Sequence, residues 1–149
     1  MVIIGAPIEK IKDSDCCRLP KGCYTMRVNG MPVVIDPFGR VVADPHAEPT
    51  CFDFDKFEKG GVCTFVIYEQ GRRRYAEFQN GGLCIFMQHG GPPRNWTIRP
   101  GVTPGTFTIA PGPPSQNGWT APPFPGGQIC LEFLQPTVLQ EFTLTPCPC

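Results

Sequence analysis

The chain has 149 residues, with 13 basic and 13 acidic side chains that cancel to a formal net charge of zero. A neutral chain has no global field to draw it to nucleic acid or to an anionic membrane, and no run of about 18 apolar residues is present to span one. Nineteen prolines, 17 glycines and 41% hydrophobic against 17% charged residues argue against disorder and for an all-β chain of short strands and tight turns.

The opening stretch MVIIGAPIEKIKDSD has a short apolar run with no basic residue before it, unlike a secretory leader. On that basis the protein is expected to be cytoplasmic, or released without a leader. Residues 1–18 read as an N-terminal extension and residues 19–149 as a single domain of a size that supports its own core.

Beyond residue 18 the chain repeats. GCYTMRV (22–28), GVCTFVI (61–67) and GTFTIA (105–110) share an opening pattern of glycine, a variable residue, then Tyr, Cys or Phe, or a near variant of it, followed by Thr and an apolar residue. CFDFDK (51–56), NWTIRP (95–100) and EFTLTP (141–146) share a close, alternating an aromatic with a second large apolar residue as a half-buried strand does. Between each opening and its close lie two further strand-like runs. These are PVVI (32–35) and RVVA (40–43), then YAEF (75–78) and LCIFM (83–87), then GWT (118–120) and QICLEF (128–133). The second pair is joined by Asn80, Gly81 and Gly82, a hairpin signal, and the third by the proline-rich APPFPGG (121–127). Four strands in each of three units predict a twelve-stranded β-trefoil. A propeller needs more blades, and a sandwich has no threefold period. Phe52, Trp96 and Phe142, the aromatics of the closing strands, are expected in the core.

LPKGCYTM (19–26) resembles the L-P-x-G-x-Y-x-I opening of the mushroom β-trefoil protease inhibitors. NWTIRP, PGTFTI (104–109), GWT and QEFTL (140–144) are similar to later strands of the serine protease inhibitor branch of that family. The resemblance implies a small fungal defence protein that binds a target protease through surface loops. The chain departs from that pattern in its N-terminal extension and its nine cysteines. Inhibitory loops differ between members of such families, so the site has to be argued from chemistry.

A trypsin-like pocket takes an Arg or Lys side chain onto a buried carboxylate, and Arg pairs with it in a bidentate fashion. Inhibition further requires a loop already held in the bound shape. The first candidate loop is Gln70, Gly71, Arg72, Arg73 and Arg74, which supplies half the basic residues of the otherwise acid-poor middle third. A solvated turn, a nucleic-acid patch and a processing site are its other readings. The second candidate is Asp36, Pro37, Phe38, Gly39 and Arg40, where Pro37 and Gly39 shape a turn. Arg94, after Pro92 and Pro93, is a third.

A carbohydrate-binding trefoil is the alternative, with a protein-interaction module beside it. Ricin-type trefoils repeat Gln-x-Trp, which only Gln140 and Phe142 approximate here. Trp119 and Phe124 read either as a platform for a sugar or as ordinary core and loop residues. Enzyme chemistry has little support. His46 and His89 fall in separate loops, and no nucleophile elbow, phosphate loop or zinc-hydrolase motif occurs, so no cofactor and no metal are expected. Asn95, Trp96 and Thr97 form a glycosylation sequon, expected to go unused.

Cys23, Cys63, Cys84 and Cys130 sit in strand-like runs and are expected to be buried thiols. Trefoil topology makes the first and last strands neighbours, so Cys16 and Cys17 are expected near Cys147 and Cys149 as a disulfide or thiol cluster. Their spacings suit zinc poorly.

Overall fold

The computed structural model describes residues 18–79, 82–112 and 115–149. Six strands close a barrel. β1 (Gly22–Val28) pairs with β4 (Phe52–Lys59), and β4 with β5 (Val62–Glu69). β5 meets β8 (Thr97–Pro100) through the Phe65–Trp96 bridge, whose two backbone hydrogen bonds measure 2.8 and 2.6 Å. β8 pairs with β9 (Phe107–Ala110), β9 with β13 (Phe142–Pro146), and β13 returns to β1 in an antiparallel register running from Tyr24–Pro146 to Val28–Phe142. Closure leaves the barrel no free edge.

Three hairpins complete the fold. β2 (Met31–Ile35) pairs with β3 (Val41–Ala43), β6 (Tyr75–Phe78) with β7 (Ile85–Gln88), and β10 (Asn117–Thr120) with β12 (Cys130–Phe133). Here the count departs from twelve. The strand expected over 128–133 is interrupted at Ile129. Its first part, β11 (Gly127–Gln128), pairs with β3, and its second with β10. Ile129 donates to the Val41 carbonyl and accepts from the Ile85 N–H, both at 2.9 Å. Its backbone thus joins the middle strands of all three repeats. The architecture is therefore a β-trefoil with one strand split to knit the hairpins together.

Local chemistry fixes the register. Asn29 and Gly30, both with positive φ, form the two-residue turn that pairs Val28 with Met31. Gly60 and Gly61 do the same between Lys59 and Val62. Two positive φ values in a row mark the tight turn whose twist matches a hairpin.

The alternating strand residues meet in one core. Phe52, Trp96 and Phe142 are fully buried, as expected. Trp119 is buried with them, stacked edge-on against Trp96 and Phe142 with ring centroids 5.3 and 6.1 Å apart. Its place in the core removes it as a sugar platform, whereas Phe124 is exposed. Gln140 is buried too. Its amide donates to Thr120 Oγ1 and the Phe133 carbonyl and accepts from the Gln135 N–H, so it braces the third repeat from within.

The cysteine expectations need correction. Cys23 is bonded to Cys149, Cys51 to Cys147 and Cys84 to Cys130, and Cys63 is also in a disulfide. None of the four strand cysteines is a free thiol. Cys147 and Cys149 form no cluster of free thiols, because β13 runs beside β1 and delivers both to the start of the barrel, where the Cys147 N–H donates to the Cys23 carbonyl at 2.9 Å. Cys16 and Cys17 lie outside the described residues, as does most of the 1–18 extension.

Candidate binding sites

The loop carrying the arginine triplet leaves β5 at Glu69 and enters β6 at Tyr75. It is closed by backbone hydrogen bonds from Arg72 N–H to Glu69 O and from Glu69 N–H to Arg74 O, each 3.0 Å. Gln70 donates to the Pro148 carbonyl at 2.7 Å, which ties the loop to the C-terminal tail. Gly71 and Arg72 both have positive φ. For arginine that conformation is costly, and its side chain shows what offsets the cost. Arg72 lies back over β4 and β5, 2.8 Å from Asp53 and 3.2 Å from Asp55, with Tyr68 under its guanidinium. The two carboxylates sit two residues apart on one face of β4. The hydrogen bond to Asp53 leads in raising the Arg72 pKa above its ordinary value.

Arg74 is engaged as well. It forms a fork on Glu69, with nitrogens 2.8 and 2.9 Å from the two oxygens, and this hydrogen bonding holds the Glu69 carboxyl below its usual range. Arg73 alone of the three is exposed with no ion pair among the described residues. It lines an open cleft with Glu69, Arg74 and His89. The triplet is therefore mostly a set of surface ion pairs that hold a strained turn in place, with one arginine left over.

The loop Asp36–Arg40 is more tightly built. Asp36 Oδ1 accepts from the N–H groups of Phe38 and Arg40, its carbonyl accepts from Gly39, and its N–H donates to Arg40 O, all at 2.9 Å. The Arg40 guanidinium returns to Asp36 Oδ2 at 2.6 Å and lies over the Phe38 ring. The Gly39 carbonyl accepts from the Met87 N–H at 2.7 Å, which pins the loop to the neighbouring hairpin. What this frame presents to solvent is Phe38, 79% exposed, with a half-exposed Arg40 beside it. Arg94 is paired with Glu77 and rests over Phe78, so it lies against the β6–β7 hairpin.

A third region had no counterpart in the sequence reading. The β4–β5 hairpin is the longest in the fold, and its tip projects from the barrel. Its register pairs Phe57 with Thr64 and Lys59 with Val62, which puts these four side chains on one face. Asn95, at the mouth of β8, donates to Thr64 Oγ1 at 3.0 Å. With Glu58 they line a cleft of about 520 Å³, with exposed Phe57 and Val62 as its apolar wall and a planar amide, a hydroxyl, an ammonium and a carboxylate around it. The alternation in FDFDKFEK, counted back from the turn at Gly60 and Gly61, was the signal that could have placed Phe57 outward.

No protein-family model matches the chain, and no curated relative is found. Solved structures do match. The ricin B-like lectin of Macrolepiota procera, solved with lactose, superposes with a TM-score of 0.69 over 87% of this chain and 99% of its own, at 14% identity. A designed threefold-symmetric protein, ThreeFoil, gives 0.68 over 85% and 99% at 11% identity. A Culex salivary protein of a cysteine- and tryptophan-rich family gives 0.64 over 86% and 95% at 16% identity. At such identities the likeness is one of fold. The chain is a β-trefoil.

Proposed function

We propose that this trefoil acts by binding, and that its ligand is a glycan held in the cleft of the β4–β5 hairpin. The observation that carries the reading is the pairing of an exposed Phe57 ring with Asn95, Thr64 and Lys59 on one rigid face. A sugar ring has an apolar C–H face and a rim of hydroxyls. An aromatic wall with a few convergent polar groups matches both. Asn95 uses only its N–H side on Thr64, which leaves its carbonyl oxygen to accept from a hydroxyl. The lactose-bound lectin with the same fold is consistent with this reading at a distance. The test is a glycan array, with Phe57→Ala and Asn95→Ala as variants that should lose at least tenfold in affinity on any glycan bound.

A second reading, inhibition of a serine protease, is favoured by the loop Asp36–Arg40. Its hydrogen bonds supply the rigidity that inhibition needs. An exposed ion pair is worth about 0.2–1 kcal/mol, so Arg40 can leave Asp36 for a protease carboxylate at small cost. Stoichiometric inhibition of trypsin, lost in Arg40→Ala, would establish this reading. Inhibition of chymotrypsin, lost in Phe38→Ala, would establish it with the other side chain as bait. We also propose, in place of the cytoplasmic expectation, that the folded protein resides in an oxidising compartment, because disulfides persist there and are rare in the cytosol.

A further inference from the structure

Between the second and third repeats lies a smaller and more enclosed cleft, of about 180 Å³, over the β8–β9 pair. Its floor is set by register. Thr97 stands opposite Ala110 and Arg99 opposite Thr108, so all four side chains share one face of the β8–β9 pair. Leu134 forms a wall. It fits because residue 118 is glycine, where an added Cβ would meet Leu134 Cδ2 at 2.5 Å. Ser115 and Gly112 complete the rim.

Two features of this cleft point to a ligand. Thr97 is 5% exposed, and its hydroxyl is buried with no hydrogen-bond partner among the described residues. Leaving a buried hydroxyl unpaired costs stability, and this one borders an opening large enough to hold what would pair with it. Arg99 is exposed and has no ion pair among the described residues. Among the described residues no acidic side chain lines the cleft. A cation, three hydroxyls and an apolar wall are thus gathered around a space about the size of one sugar ring.

We infer that this cleft is a second ligand site, for a sugar ring that bears a carboxylate. Arg99 receives the carboxylate, in the forked geometry that guanidinium favours. Thr97, Thr108 and Ser115 take ring hydroxyls, and Leu134 takes a C–H face. The inference rests on the reading that the trefoil binds sugars, but it concerns a site separate from the Phe57 cleft.

The experiment titrates glucuronic acid, and glucose as its neutral twin, into the full chain by calorimetry. Glucuronic acid should bind at least tenfold more tightly than glucose. Arg99→Gln should weaken it at least tenfold and Thr97→Val severalfold. Because Thr97→Val removes an unpaired buried hydroxyl, its Tm should equal or exceed that of the wild type, whereas a hydroxyl serving only the fold would lower it. Equal affinity for the two sugars, unchanged binding in Arg99→Gln, or loss confined to Phe57→Ala would each overturn the inference. A chain that binds neutral glycans through Phe57 but not glucuronic acid would overturn this site alone and leave the proposed function standing.

Discussion

Asp36 shows how much one side chain can organise. Burial alone would push its pKa up, but the hydrogen bonds it accepts from the Arg40 and Phe38 backbone and from the Arg40 guanidinium outweigh burial and hold it below the usual carboxylate value. A depressed folded-state pKa means stability that is present in full above the unfolded value, about 3.9, and is lost as pH falls through the folded one. Asp36→Asn should therefore cost about 1–2 kcal/mol at pH 7, in line with weakened hydrogen bonds to charged acceptors. The difference from wild type should shrink as pH falls below about 4, measured by urea denaturation at pH 7 and pH 3. DPFGR signalled the turn through its Pro and Gly, but no local pattern told which side chain the turn would present. That depended on Arg40 folding back onto Asp36, which leaves Phe38 as the exposed tip. The same holds for Arg72 and Arg74. Their carboxylate partners lie on β4 and at the end of β5, and only strand pairing brings Asp53 and Asp55 under the loop.

The last strand is the element on which the barrel closes. β13 zips to β1, and its two disulfides reach back to Cys23 and Cys51, across sequence separations of 126 and 96 residues. Cross-links over loops of that length restrict the unfolded chain strongly, each by roughly 4–5 kcal/mol in the chain-entropy account. Replacing Cys23 and Cys149 together by Ala should cost at least about 3 kcal/mol in a denaturant titration. Because Gln70 is bonded to Pro148 beside Cys51, removing the Cys51–Cys147 bridge should also speed amide exchange in the arginine loop. The strands themselves were legible, since Gly-x-x-Thr openings and aromatic closings mark each barrel strand pair by composition alone. The disulfides were not. A cysteine in a strand reads as a small apolar residue until its cross-strand neighbour is known, and Cys84 faces Cys130 only because the second and third hairpins touch. The split at Ile129 was hidden for a similar reason. It answers to β3 and β7, which lie far away in sequence.

At the scale of the whole molecule, threefold repetition gives a rigid barrel, and function falls to what the loops and hairpin tips present. The fold was readable because core positions recur at a fixed spacing. The ligand was not, because surface positions do not recur, and the three repeats differ most where they face solvent. The basic stretch 59–99 is largely neutralised by its own Glu69 and Glu77 and by Asp53 and Asp55 from β4, which weakens the case for the arginine triplet as bait. It turns attention to the β4–β5 hairpin, where an exposed aromatic and unspent polar groups share one face. The most direct test of this account is a glycan array probed in parallel with the wild-type chain and with Phe57→Ala. The account predicts a defined set of bound glycans whose signal disappears in the variant while its thermal melt is unchanged. A blank array for the wild type, accompanied by stoichiometric protease inhibition that Arg40→Ala abolishes, would contradict it.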